Sequence, residues 1–234
     1  LSLSEEIWLG KIVREEQALR LRRKPWVDEA IHEYDDFVYP KDCPAGESEK
    51  GRWQEIFGRK APLFVELGTG KGDFISRMAE LHPEANFIGI EVQQDVLIAA
   101  ARKVREKGLE NVRLLVFDIA GLRTIFSPGE ISRFYVNFCD PWPKKRHAKR
   151  RLTHRNFLAC SGELLCAGGK LLFKTDNRPL FDFSLEEFEA AGLFVTDISY
   201  DLHAEERADN VMTEYERKFS GQGEKINRCE VTFA

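Results

Sequence analysis

The chain has 234 residues, 43% of them hydrophobic, which suits one domain, or one domain with an extension, around a sizeable core, and it carries a formal net charge of −4. No apolar run approaches the roughly 20 residues that span a bilayer. Five cysteines, an odd number with no C-x-x-C pair, argue against a disulfide framework or a structural zinc site. The first residues mix acids and bases, so no secretory leader is expected and a reducing, cytoplasmic setting is.

Residues 1 to about 24 are charged, with apolar residues at helical spacing, and predict a short helix. Residues 40 to 52 are polar and rich in turn formers and read as a loop. The expected division is an extension over residues 1–50 and a catalytic-type domain over residues 51–234. The pattern then alternates. Leu63 to Leu67 is a first strand, followed by a Gly-rich turn and a helix over Phe74 to Leu81 that Pro83 stops. Phe87 to Glu91 is a second strand, Gln94 to Lys107 a helix ending at Gly108, and Val112 to Phe117 a third strand closed by Asp118. Phe134 to Cys139 is a fourth, closed by Asp140, and Leu171 to Lys174 a fifth, closed by Thr175-Asp176. A helix over Pro179 to Ala191, a sixth strand over Leu193 to Ser199 and a seventh over Cys229 to Phe233 complete the chain.

Strands alternating with helices predict an α/β fold, a seven-stranded and mostly parallel sheet with helices on both faces. Such sheets bind ligands beyond the carboxyl ends of their strands. Acids stand there: Glu91, Asp118, Asp140 and Asp176, with Glu66 just before the turn Gly68-Thr69-Gly70-Lys71-Gly72. Glycines such as Gly68 and Gly70 let a backbone turn tightly and approach a ligand, and a strand-end acid such as Glu91 can accept from ribose hydroxyls. Asp118 could accept from an adenine amino group. This pattern serves NAD and S-adenosylmethionine alike. The G-x-G-x-G spacing and the negative charge of Glu66 beside the turn favour the cationic methyl donor over a pyrophosphate.

From Asp140 to Arg151 the chain reads as an acid-Pro-Trp-Pro turn running into six Lys/Arg and one His with no further acid. Lys144 to Arg151 carries +6 against −10 on the rest of the chain. Pro141 and Pro143 fix φ and remove two donors, which stiffens the turn. Trp142 reads equally well as a base-pocket wall or as a ring that anchors the loop. The basic run is suited to phosphate contacts, which position a nucleic acid without reading its sequence.

These residues resemble the bacterial tRNA (guanine-N7)-methyltransferases. The resemblance rests on Glu66-Leu67-Gly68-Thr69-Gly70-Lys71-Gly72, Gly89-Ile90-Glu91, the stretch from Asn137 through Asp140-Pro141-Trp142-Pro143 to Leu152, Phe173 to Asn177, and Thr213 to Phe219. It implies a Rossmann-like class I methyltransferase fold and methyl transfer from S-adenosyl-L-methionine to N7 of a guanine in the tRNA variable loop. It also implies that Glu66, Glu91, Asp118 and Asp140 contact the donor and that Asp140 is the catalytic residue. Lys144, Asp176, Thr213, Glu214, Tyr215 and Glu216 would hold the target nucleotide, and Arg146, His147, Lys149, Arg150 and Arg151 the RNA. No metal, no membrane and no obligatory protein partner is expected, and the enzyme would be a monomer or homodimer. The Thr213 stretch itself reads only as polar and loop-like. Cys139 departs from the family pattern before the Asp, and residues 1–19 lie upstream of the family's usual start. Acid-Pro-aromatic motifs also serve amino-group methylation, so an exocyclic amine is the alternative target. An NAD-dependent oxidoreductase and a non-catalytic RNA-binding protein are the alternatives in other classes.

Overall fold

A computed structural model describes residues 24–205, 207 and 209–233. All but the last residue of the helix expected over residues 1–24 lies outside them. The described strands are β1 (Val38–Tyr39), β2 (Leu63–Leu67), β3 (Asn86–Glu91), β4 (Val112–Val116), β5 (Ile131–Asn137), β6 (Leu165–Thr175), β7 (Phe194–Ser199) and β8 (Asn227–Thr232). They form one sheet in the order β1-β4-β3-β2-β5-β6-β8-β7. All neighbours are parallel except β8, which runs antiparallel to both β6 and β7.

The central strands are apolar on both faces because each face has its own helical cover. On one face, α1 (Asp73–Leu81) and α2 (Gln94–Glu106) bring Phe74, Ile75, Met78, Leu97 and Ala101 against Phe87, Leu114 and Tyr135. On the other, α3 (Arg155–Leu164) and α4 (Arg178–Ala190) bring Leu158, Leu164, Leu180, Phe181 and Phe188 against Val65, Phe134, Val136 and Phe173. Successive residues of β5 thus divide between two cores, as the two-residue period of a strand requires. Val27, Ile31, Tyr34, Phe37 and Val38 join the first of these cores, so this part of the N-terminal region is packed against the sheet.

The observed sheet has eight strands, not seven. The additional one is β1 at the edge beside β4, and two residues are too few to show an alternating pattern. Two helices of seven or more residues also stand where none is expected. The α3 helix, Arg155–Leu164, begins directly after the basic run, and α5 (Glu214–Ser220) lies where a loop is expected. β5 ends at Asn137, three residues before Asp140, so that carboxylate stands on a loop and not at the strand terminus. The loop over residues 40–52 is present as expected, with a short helix, Trp53–Ile56, directly after it.

The Gly-rich turn is held against α2 by steric necessity. Gly72 has φ +79, and a Cβ there would stand 2.5 Å from the Cβ of Ala100. Gly108, beyond the end of α2, has φ +62 but open space around it. Gly108→Ala should therefore cost only the left-handed strain, about 1 kcal/mol. Gly72→Ala should cost that plus an overpacking penalty of about 1–3 kcal/mol. Urea melts of the two variants check the order; equal losses would remove the packing argument.

Candidate active site

Beyond the carboxyl ends of β2 and β5 lies a cleft of about 200 Å³. The Gly-rich turn from Gly68 to Gly72 forms one wall, Asn137 and Phe138 a second, and Thr213, Glu214 and Tyr215 a third. Glu66 lines it from below and is only 3% exposed. Its carboxylate accepts from Thr69 Oγ1 at 2.5 Å and from Asn137 Nδ2 at 3.1 Å. Burial nevertheless raises its pKa from the usual carboxylate value to about 7, against the lowering effect of those two hydrogen bonds and of Lys174.

The third wall is built by a helix start. Thr213 caps α5, its Oγ1 accepting from the amide of Glu216 at 2.9 Å. The T-x-x-E spacing is that of a capping box, the one local signal by which this helix could have been read. The Glu216 side chain does not complete the box. It is fully buried and pairs with Lys174 Nζ at 2.6 Å, while Asn210 Nδ2 donates to it at 2.8 Å. His203 Nε2 lies 3.1 Å from the same carboxylate. Glu216 thus supports the wall from behind, whereas Thr213, Glu214 and Tyr215 face the cleft. Lys71 of the Gly-rich turn pairs with Glu214 at 2.9 Å, joining two walls across the opening.

Aromatic rings flank this opening. Phe138 has φ +53, a left-handed conformation unusual for a residue with a side chain. Its ring lies 4.9 Å from that of Tyr215, which lies 4.2 Å from Phe219. The Tyr215 hydroxyl donates to Asp176 Oδ2 at 2.9 Å, bringing the acid after β6 to the same corner.

The other acids are placed differently. Glu91 accepts from the Gly70 amide at 3.2 Å and the Gln93 amide at 3.0 Å, bracing the turn. Asp118 is exposed and accepts from the Ala120 amide at 2.9 Å, capping a short 3-10 turn. Asp140 is exposed on the loop after β5. Glu91, Asp118 and Asp140 do not line the cleft that Glu66 floors; they stand along the same edge of the sheet.

After Asp140 the backbone of Trp142 takes φ +41 between its two prolines. Lys145–Arg150 form a 3-10 helix on which Lys145, Arg146, Lys149 and Arg150 are exposed, as is Lys144 before it. Arg150 lies over the Trp142 ring at 4.8 Å, and the His147 ring meets that ring edge-on at 5.8 Å. Desolvation, followed by the positive charges of Arg150, Arg146 and Lys144, holds the pKa of His147 below its ordinary value. Arg151 differs from its neighbours. It is half-buried, and it donates to the carbonyls of Pro141 and Trp142, each at 3.0 Å.

Residues 60–229 match the family described as "Putative methyltransferase". The chain is 50% identical over 212 residues to a tRNA (guanine-N(7)-)-methyltransferase of Geobacillus kaustophilus (strain HTA426), covering 91% of this chain and 96% of that protein. It is 47% identical over 213 residues to the tRNA (guanine-N(7)-)-methyltransferase of Bacillus subtilis (strain 168), covering 91% and 98%. Among solved structures it resembles the 16S rRNA methyltransferase KamB, with a TM-score of 0.61 at 13% identity over 82% of this chain and 99% of that one. An antibiotic-related methyltransferase gives 0.59 at 17% identity over 77% and 91%. Those two likenesses concern the fold, which is that of the class I S-adenosylmethionine-dependent methyltransferases. With half its residues shared with such relatives over nearly its whole length, the chain belongs to the tRNA (guanine-N(7)-)-methyltransferase family.

Proposed function

We propose that this protein transfers a methyl group from S-adenosyl-L-methionine to N7 of a guanine in the variable loop of tRNA. The observation that carries the reading is the placement, on one edge of the sheet, of an anionic cleft and an exposed basic turn joined by the short Asp140-to-Pro143 loop. The cleft fits a cationic donor, because the buried Glu66 carboxylate is held there at the expense of its own solvation. The donor supplies an electrophilic methyl on a sulfonium, which leaves as a neutral thioether. Glu66 would attract the donor's positive charge, and Gly68 and Gly70 would let the backbone close around it. Glu91 would meet the ribose and Asp118 the adenine.

Guanine N7 carries a free lone pair and needs no base to activate it. Alignment and charge compensation are what remain for the protein to provide. Asp140 would supply both, close to the ring on which positive charge appears. Lys144, Asp176 and the Thr213-to-Tyr215 wall would hold the nucleotide, Glu216 keeping that wall in place. Arg146, His147, Lys149 and Arg150 would hold the RNA. Action without an obligatory protein partner, as monomer or homodimer, is part of the same proposal. No helix among the described residues is long and apolar enough to cross a membrane, in keeping with a cytoplasmic tRNA enzyme.

Incubation with unmodified tRNA and donor should give a methyl group at guanine N7, seen as chain cleavage after borohydride and aniline treatment; a methyl on an exocyclic amine would overturn the assignment. Asp140→Ala should lower kcat by about 10²–10³, the usual loss for one electrostatic group in a transition state, with tRNA affinity kept. Equal losses in kcat and in affinity would assign Asp140 to binding instead.

Glu66 makes donor affinity depend on pH. Its raised pKa means that protons bind more readily to the folded protein than to the unfolded chain. Its contribution to stability is therefore greatest below pH 4.5 and is lost as pH rises through about 7. A cationic donor prefers the ionised form, so affinity should rise as pH increases to about 7 and then level. Calorimetry in buffers of different ionisation enthalpy should detect proton release at pH 6–7, and Glu66→Gln should abolish it. A pH-independent Kd in the unaltered protein would exclude contact between this carboxylate and the donor's charge.

Replacing Lys149 by Gln should weaken tRNA binding and reduce the slope of log K against log salt by about 0.7–0.9, the change for one phosphate contact. An unchanged slope would leave this residue as a solvated surface charge.

A further inference from the structure

The half-buried Arg151 ends the basic run in sequence but does not share its environment. Its Nε donates to the carbonyl of Pro141 at 3.0 Å and its Nη2 to the carbonyl of Trp142 at 3.0 Å. The guanidinium also lies 4.3 Å from the ring centre of Phe183 on α4. A planar fork can meet two successive carbonyls and a ring face at once; an ammonium cannot do this with one geometry. Three features make those carbonyls worth holding. Pro141 and Pro143 have no amide hydrogen, so this turn lacks the donors that steady most turns. Trp142 sits at φ +41, a conformation that costs a residue with a Cβ about 1–2 kcal/mol. Asp140 is joined directly to Pro141, so displacement of the Pro141 carbonyl displaces the carboxylate.

The same contacts close a loop. The backbone amide of Arg151 donates to the Ala148 carbonyl, and the His154 amide donates to the Arg151 carbonyl, leading into α3. The chain leaves the sheet at Asn137, arcs through Lys144 to Arg150, and is pinned at Arg151 to its own beginning. Arg150, one residue earlier, stays exposed and lies on the Trp142 ring.

We infer that Arg151 is a positioning residue that sets Asp140 for methyl transfer by clamping the Pro141 and Trp142 carbonyls, and that it is not one of the tRNA-phosphate contacts. The inference rests on the proposed role of Asp140. It separates two neighbouring arginines by function: Arg150 faces the RNA and Arg151 faces the protein. It also gives Phe183 a part, as the surface on which the clamp rests.

The test compares Arg151→Gln, Arg151→Lys and Phe183→Leu with Lys149→Gln in the full chain, using the donor and a tRNA transcript. Single-turnover rates at saturation, tRNA Kd across a salt series and thermal melting are measured for each. The protein is also labelled with 5-fluorotryptophan, the Trp142 resonance being assigned with Trp142→Phe. Arg151→Gln should lower the rate at least 10-fold, keep tRNA Kd within about 3-fold and leave the salt slope unchanged. It should also shift or broaden the Trp142 resonance while the other tryptophan signals stay in place. Arg151→Lys should recover part of the rate, and Phe183→Leu should give a smaller loss of the same kind. A reduced salt slope with an intact rate in Arg151→Gln would overturn the inference in favour of a phosphate contact. An unchanged rate with an unchanged Trp142 resonance would overturn it because the turn holds itself. If the unaltered protein transfers no methyl group, the proposed function fails, while the Trp142 resonance still decides whether Arg151 clamps the turn.

Discussion

The cleft depends on one buried ion pair. Lys174 on β6 and Glu216 on α5 meet at 2.6 Å with their side chains 7% and 0% exposed. Burial draws the lysine's pKa down, and Glu216 opposes that shift. Removing either partner would leave the other charge buried without its main counterion, at a cost of about 3–5 kcal/mol. Lys174 also donates to Asn210 Oδ1 and the Val211 carbonyl, so its three hydrogen bonds go to α5 and to the segment that leads into it. Thr213, Glu214 and Tyr215 stand over the Gly-rich turn because that segment is anchored here. The carbonyl of the same Lys174 accepts from the Phe138 amide, so one residue orders two walls of the cleft.

This dependence explains what could and could not be read from the chain. Strands with both faces covered show as unbroken apolar runs, and β2 to β5 were legible for that reason. So were the Gly-rich turn and the acids at the strand ends, since sheet topology places them without any knowledge of tertiary contacts. Helix α5 is marked only by its capping-box spacing, because the residue that anchors it is a buried glutamate, and a glutamate in a polar stretch reads as surface. The edge strand β1 was too short to carry a period. Arg151 was grouped with five similar neighbours, because charge along a sequence does not tell a phosphate contact from a hydrogen-bond donor to the protein's own backbone. For α5 and Arg151 the missing information is burial, which depends on residues distant in the chain.

The charges divide the molecule's surface by task. Under the proposed function, the buried carboxylate of Glu66 would draw on low solvation to favour a cation, and the basic turn would rely on exposure to meet a polyanion. With a Debye length of about 8 Å at physiological salt, each field acts only locally, so an overall negative charge is compatible with a grip on RNA. The Lys71–Glu214 pair spans the opening between the Gly-rich turn and α5, with both side chains more than half exposed. An exposed pair of that kind is worth at most about 1 kcal/mol. It can order the opening without preventing it from parting.

A loop by itself gives a carboxylate little fixed direction, and this loop is restrained in a particular way. Asp140 lies beyond the end of β5, where no ladder of sheet hydrogen bonds can hold it. Two prolines narrow the backbone's freedom, and Arg151 supplies the donors that the prolines lack. Holding the turn from within its own basic loop has a consequence for substrate coupling. A force on the Lys144-to-Arg150 arc reaches the Asp140 turn through Arg151, because the arc begins and ends on the same two carbonyls. The basic arc and the position of the Asp140 carboxylate are thereby parts of one closed loop. Under the proposed roles, a substrate phosphate that settles on the arc would be registered directly against the Asp140 carboxylate.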